Sequence, residues 1–245
     1  MKRVLASLFI FLFLFGIFES VLQAQAYRLF SLKDDFGTSG TLSTMIGQLG
    51  WTRTDITTGG CANIEKYPGS WPNLGIARIT TNTVPGNGCA LSLGTSGSEL
   101  LGNLAANPGW AAIFILRFES TSNVKFRVGF TDNPGNAAPS NGVWFRFDTA
   151  SDTFITMETC SGGTCSTKVS TTIPSADRFM KFWIYSISAG QVLFNFDGRE
   201  IAVPYALNAN VPSSNMAPTI QIINNTNVAK NIQIDYFLYA HHVSR

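Results

Sequence analysis

Two carboxylates on alternate residues of one β-strand face the same side, and about 5 Å apart they can act as nucleophile and acid/base in glycosidic bond cleavage. The glutamates beyond residue 26 are Glu65, Glu99, Glu119, Glu158 and Glu200, and none has another carboxylate two positions away. Glu158, in TFITMETC, is central to a strong strand pattern. A lone glutamate there reads as a solvated face residue. The only histidines, His241 and His242, stand near the C-terminus and no GxSxG occurs, so a serine triad lacks both base and elbow. Asp148 and Asp152 could hold a hard cation with loop carbonyls, but stabilising a turn is the reading their spacing favours. No catalytic residue, metal ligand or cofactor is expected.

Recognition chemistry is better represented. In GVWFRFDT, Val143, Phe145 and Phe147 fall on one side of an extended chain and Trp144, Arg146 and Asp148 on the other. In KFRVGF, Phe126, Val128 and Phe130 leave Lys125 and Arg127 opposite, and in RFMKFWIYSIS, Phe182 and Ile184 leave Lys181, Trp183 and Tyr185. Lined up, Arg127, Trp144, Arg146, Lys181, Trp183 and Tyr185 are expected to furnish one sheet face with aromatics and bases. Aromatic rings stack on the apolar side of sugars, and Arg supplies forked donors for hydroxyls, carboxylates or sulfates. Trp71, in the loop PGSWPN, is a further candidate ligand contact. The competing reading is structural: long outer side chains cover their neighbours, and Trp144 with Arg146 makes a cross-strand pair.

The elements that would carry these side chains are strands. AAIFILRFES, VKFRVGF, GVWFRFDT, DTFITMETC, STKVSTTI, RFMKFWIYSIS, QVLFNFDG, REIAVPY, TIQIIN and NIQIDYFLYA follow one another with Gly, Asn, Pro or Ser between them. Asp197–Gly198 marks a tight hairpin turn, TDNPGNAAPSNG a long loop, and SELLGNLAANPGW the best helix candidate, of two turns at most. First and last strands of Greek-key sandwiches commonly lie close. DDF at 34–36 and IDYF at 234–237 are therefore expected to pair or adjoin. Trp51 is expected in the core or at a sheet edge.

The N-terminus reads as a secretory signal peptide over residues 1–26: Lys2 and Arg3, an apolar run from Val4 to Phe18, then Ala24 and Ala26 in small-x-small order. A spanning helix would need about 20 apolar residues, and Glu19 interrupts the run first. Residues 27–245 are then a single domain, and no membrane partner remains after cleavage. Export suits four cysteines: CSGGTC fits a strap across a hairpin end, pairing Cys160 with Cys165 and leaving Cys61 for Cys89. Lys+Arg 17 against Asp+Glu 15, with no basic cluster, excludes a nucleic-acid footprint. NNT at Asn224 is a glycosylation sequon if the host glycosylates.

MIGQLGW at 45–51, GIARITTNTVPGNGCALSLG at 75–94, FRVGFTDN at 126–133, NGVWFRFDT at 141–149, VLFNFDGREIA at 192–202 and IDYFLYA at 234–240 together resemble the concanavalin A-like jelly roll. Within it, the likeness is to the domain of tailed-phage fibres and secreted bacterial proteins. The resemblance covers nearly the whole chain after residue 26. It implies an all-β sandwich of two antiparallel sheets, one curved, whose concave face binds glycans in many relatives and cleaves them in some. Retaining hydrolases of this fold carry ExDxE or ExDxxE, which is missing here; its lyases use Arg, Gln, His and Tyr, and no internal His exists. The Gln and Glu of glutamic peptidases remain open on spacing alone. VWFRFDT also resembles the VEFDT strand of legume lectins, but Arg146 stands at the Glu position, so no metal is carried over.

The expected function is a secreted, non-catalytic, lectin-like or adhesion module at the cell surface, in the extracellular space or in the periplasm. Its expected partner is a glycan or cell-surface polysaccharide, met through the aromatic face or the loops around Trp71 and residues 132–142. The alternatives are a self-associating fibre or matrix subunit and a glycan-active enzyme with an unrecognised site.

Overall fold

The structure, a computed structural model, describes residues 28–36, 45–66, 75–94, 108–196 and 205–243. The expected signal peptide, Trp71, the Asp197–Gly198 turn and residues 98–107 of the helix candidate lie outside that range. Ser31–His241 form one compact unit.

No helix occurs among the described residues. The strands are β1 (Arg28–Asp34), β2 (Met45–Ile46), β3 (Trp51–Ile56), β4 (Cys61–Lys66), β5 (Ala77–Thr81), β6 (Gly88–Ser92), β7 (Trp110–Phe118) and β8 (Val124–Thr131). They continue with β9 (Gly142–Asp148), β10 (Thr156–Ser161), β11 (Thr164–Val169), β12 (Met180–Ser186), β13 (Val192–Phe196), β14 (Tyr205–Leu207), β15 (Ala217–Asn224) and β16 (Asn231–Val243). They form two antiparallel sheets. One runs β14-β13-β12-β7-β16-β5-β4 with β1 on β16, and the other runs β11-β10-β9-β8-β15-β6-β3-β2. The expected adjacency of residues 34–36 and 234–237 is met: β1 pairs with β16, Lys33 stands over the Tyr236 ring, and the Asp35 charge acts on Asp235.

Period-two alternation drives this arrangement. In β7 every second residue, from Trp110 through Ala112, Phe114 and Leu116 to Phe118, is buried between the sheets, with half-buried residues between them. Phe126, Val128, Phe130, Val143, Phe145, Phe147, Phe182 and Ile184 join the same core, as their spacing predicts. Rings knit the layers: Phe118 of β7 stacks on Phe126 of β8 at 4.0 Å, and Phe145 of β9 meets Phe182 of β12 edge-on at 5.1 Å. Trp51 is fully buried, edge-on to Phe237 at 4.9 Å.

Both disulfides form as the sequence predicts. Cys61–Cys89 ties β4 of one sheet to β6 of the other, closing a loop long enough to contribute about 3–4 kcal/mol on the chain-entropy view. Cys160–Cys165 straps the β10–β11 hairpin, whose two-residue turn takes positive φ at Gly162 and Gly163, a conformation only glycine adopts without cost. The sequon fares differently. Asn224 is fully buried, its amide donates to Asn82 O at 2.9 Å, and its Oδ1 accepts from Thr226 N at 2.8 Å, so the side chain is a structural tie.

Candidate functional site

The six aligned candidates do not share a face. Arg127 and Trp144 with Arg146 sit on β8 and β9, while Lys181, Trp183 and Tyr185 sit on β12, in the other sheet. Period two separates inner from outer residues but carries no information about which layer a strand joins. The expected single surface is therefore two outer faces on opposite layers, and they differ in what surrounds them.

On the β8 sheet the expected open face is closed. Trp144 is 3% exposed and Arg127 8% exposed. The β9–β10 register sets Glu158 opposite Trp144, and Trp144 Nε1 donates to Glu158 Oε2 at 2.6 Å. Arg146 NH1 meets Glu158 Oε1 at 2.7 Å, while its Nε and NH2 donate to Asp152 at 3.0 and 2.8 Å. Glu158, read as a solvated residue from the sequence, is 4% exposed and holds this cluster together. The cross-strand partner, invisible until hairpin register is known, is the physical reason for the correction. Burial alone would lower the Arg146 guanidinium, but the Asp152 hydrogen bonds and the charges of Glu158, Asp152 and Asp148 outweigh it and raise it. Asp148 and Asp152 do stabilise their turn, accepting from Ala150 N and Asp148 N, and Asp148 also pairs with Lys125 at 3.3 Å.

The loop after β8 completes the closure. Gln221 Nε2, buried on β15, donates to Pro134 O at 2.7 Å and Asn136 O at 3.1 Å, and Arg127 NH1 donates to Ala137 O. Ala137 packs on Ile56, Ala90 and Ile223, three apolar residues of the same outer face. Residues 132–142, expected as a ligand-contact loop, are thus folded back across their own sheet. Arg127 lies 5.5 Å over the Trp144 ring, and burial pulls its guanidinium down to about 10, still charged at neutral pH. Gly142 gives the Trp144 ring room: a Cβ there would overlap its six-membered edge. What remains is a cavity of about 10 Å³ lined by Arg127, Thr131, Trp144, Thr219 and Gln221 among others, enough for about one water and too small for a sugar.

The β7 sheet presents a different face. Lys181, Trp183 and Tyr185 are each half-buried on the outer side of β12. Trp183 and Tyr185 rings lie 4.8 Å apart at 33°, and Lys181 Nζ stands 5.1 Å from the Trp183 ring. Cross-strand register puts Ile113 beside Trp183 and Ile115 beside Lys181, with Leu238 and Tyr236 of β16 beyond them. Burial raises the Tyr185 phenol. Farther along β7 and β16, Glu119 accepts from Arg78 at 2.6 Å, Gln233 at 2.7 Å and Asn231 at 2.8 Å. Sequence reasoning passed over this polar cluster because its members lie on three separate segments. Among the described residues no group of His, Cys, Asp and Glu is disposed to hold a metal ion.

Neither a protein-family model nor a curated protein sequence matches the chain. Solved structures do. A protein of unknown function from Shewanella oneidensis MR-1 superposes with a TM-score of 0.61 at 11% identity, covering 90% of each chain. The Bacillus licheniformis β-glucanase gives 0.56 at 10% identity, covering 88% of this chain and 98% of its own. The carbohydrate recognition domain of Emp47p gives 0.55 at 12%, covering 87% and 95%. At such identities the likeness speaks to architecture, and the chain has the all-β, concanavalin A-like jelly-roll fold that its sequence resembles.

Proposed function

We propose that this protein is a secreted, non-catalytic carbohydrate-binding module whose glycan lies on the outer face of the β7 sheet, across Lys181, Trp183 and Tyr185. The observation that carries the reading is the Trp183–Tyr185 pair: two adjoining rings, half-exposed, in a fold shared with a β-glucanase and a carbohydrate recognition domain. Paired rings offer a stacking platform for the apolar sides of sugars. Arg127, Trp144 and Arg146 are given no ligand role, because their donors and rings are engaged inside the protein. A non-catalytic reading also suits Glu158: its neighbouring carboxylate, Asp152, is bridged to it by the Arg146 guanidinium, so both are engaged as ion-pair partners. Two disulfides fit an oxidising extracellular or periplasmic setting.

A glycan array on the purified protein tests the proposal. We expect retention on a defined subset of glycans, with Trp183→Ala and Tyr185→Ala each weakening it about tenfold or more while leaving the fold intact by circular dichroism. Retention unchanged in both variants would remove the site. A second reading, self-assembly, rests on β11, an edge strand along which Thr164, Cys165, Thr167, Lys168 and Val169 are all exposed. Exposed edges template pairing with another chain. Solution mass distinguishes the two, since a monomer retained on glycans favours binding and a stable oligomer without glycan signal favours assembly.

A further inference from the structure

Cations on the two outer faces are matched differently. On the β8 sheet, Lys125 has Asp148 and Arg146 has Asp152 and Glu158. On the β7 sheet Arg78 has Glu119, but Lys181, Arg117 and Lys33 each stand against a ring, as Arg127 also does on the other sheet: Lys181 over Trp183 at 5.1 Å, Arg117 over Phe179 at 5.6 Å, and Lys33 over Tyr236 at 5.5 Å. None of the three makes an ion pair among the described residues. They belong to one neighbourhood. Lys181 and Tyr236 flank Ile115 in a single cross-strand row, and Arg117 is the next outward residue of β7. Trp183 Nε1 and Arg117 Nε have no hydrogen-bond partner within the described chain, a state they share with Arg127 Nε on the closed face and with Trp51 Nε1 and Trp110 Nε1 of the core.

We infer that the glycan held on this face is anionic, a polysaccharide bearing uronate carboxylates or sulfate esters, with Lys181 and Arg117 as its charge contacts. The inference rests on the carbohydrate-binding reading above and names its substrate class. Cation-on-ring pairs leave the outward side of each charge to an incoming anion, whereas a carboxylate neighbour would neutralise it. Arg117 adds the planar fork that matches a carboxylate or sulfate in two contacts. The contact centres on β12 and β7, not on β1. At the β1 side Asp235, whose carboxyl is raised by burial and by the nearby Asp35 charge, marks a less welcoming end for a polyanion.

Binding of the purified protein to polygalacturonate, dextran sulfate and neutral dextran decides it, each measured by affinity electrophoresis or calorimetry across a salt series. We expect retention on at least one anionic polymer and none on dextran. The affinity should fall about tenfold or more between ~50 and ~300 mM salt, because screening at partly exposed sites is strong. Lys181→Gln should weaken the anionic complex about fivefold or more, and Lys181→Gln with Arg117→Gln further. Retention on only one of the two anionic polymers supports the inference and names the group. A neutral glycan bound without dependence on salt or on Lys181 overturns it while leaving the glycan reading standing. Polyanion binding that both substitutions leave unchanged overturns the site, and no binding to any polysaccharide overturns both.

Discussion

The outer faces of the two sheets start from the same ingredients, tryptophans alternating with basic residues, and end in opposite states. On the β8 sheet, Trp144 and Arg146 face Glu158 and Asp152, and the 132–142 loop lies across Arg127 and Gln221. On the β7 sheet, Trp183 and Lys181 face Ile113 and Ile115, which accept no hydrogen bond. An aromatic and basic stripe is thus a binding surface or an internal lattice according to whether carboxylates and carbonyls of the same chain reach it. The neighbours decide, and they come from other strands.

The comparison breaks most easily at Glu158. Glu158→Ala leaves Trp144 Nε1 and part of Arg146 without acceptors in a buried setting. Losing one member of such a pair costs about 3 kcal/mol or more, while Lys181→Ala on the other face should stay within about 0.5 kcal/mol. Urea unfolding reads both. A Glu158→Ala cost below about 1 kcal/mol would mean that the closed face is held by something else.

A smaller effect sharpens the role of the loop. Gln221→Leu removes the donor to Pro134 O and Asn136 O, and should cost about 1–2 kcal/mol. Amide exchange at Asn136 and Ala138, whose N–H groups bond within the loop, should quicken relative to that of the β15 strand. Equal protection in the variant and the parent would show that Ala137 on the Ile56, Ala90 and Ile223 cluster is the stronger anchor.

How much of this was readable follows from the range of each signal. Alternation is local, so the inner members of β7, β8, β9 and β12 were legible from their own strands. CSGGTC, a turn and two cysteines within six residues, revealed its pairing for the same reason. Sheet membership is non-local: β9 leads into the β10–β11 hairpin before the chain crosses to β12 in the other layer, and no residue pattern marks that crossing. Glu158 was misread because its burial depends on Trp144, set opposite it by a register that the 149–155 connection determines. The polar cluster at Glu119 was missed because Arg78, Glu119, Asn231 and Gln233 converge from β5, the end of β7 and β16.

That cluster supplies the smallest and most specific test. Burial tends to raise the Glu119 carboxyl, but hydrogen bonds from Arg78, Gln233 and Asn231 and the Arg78 charge prevail and lower it from 4.5. A carboxyl lowered by folding stabilises the native state above its unfolded value, and that contribution is lost as pH falls through the folded one. Glu119→Gln should therefore be less stable than the parent at neutral pH by about 1 kcal/mol or less, since both partners are partly exposed. The difference should shrink as pH drops below about 4.5 and vanish in stronger acid. A gap independent of pH would assign the role of Glu119 to hydrogen-bond geometry alone.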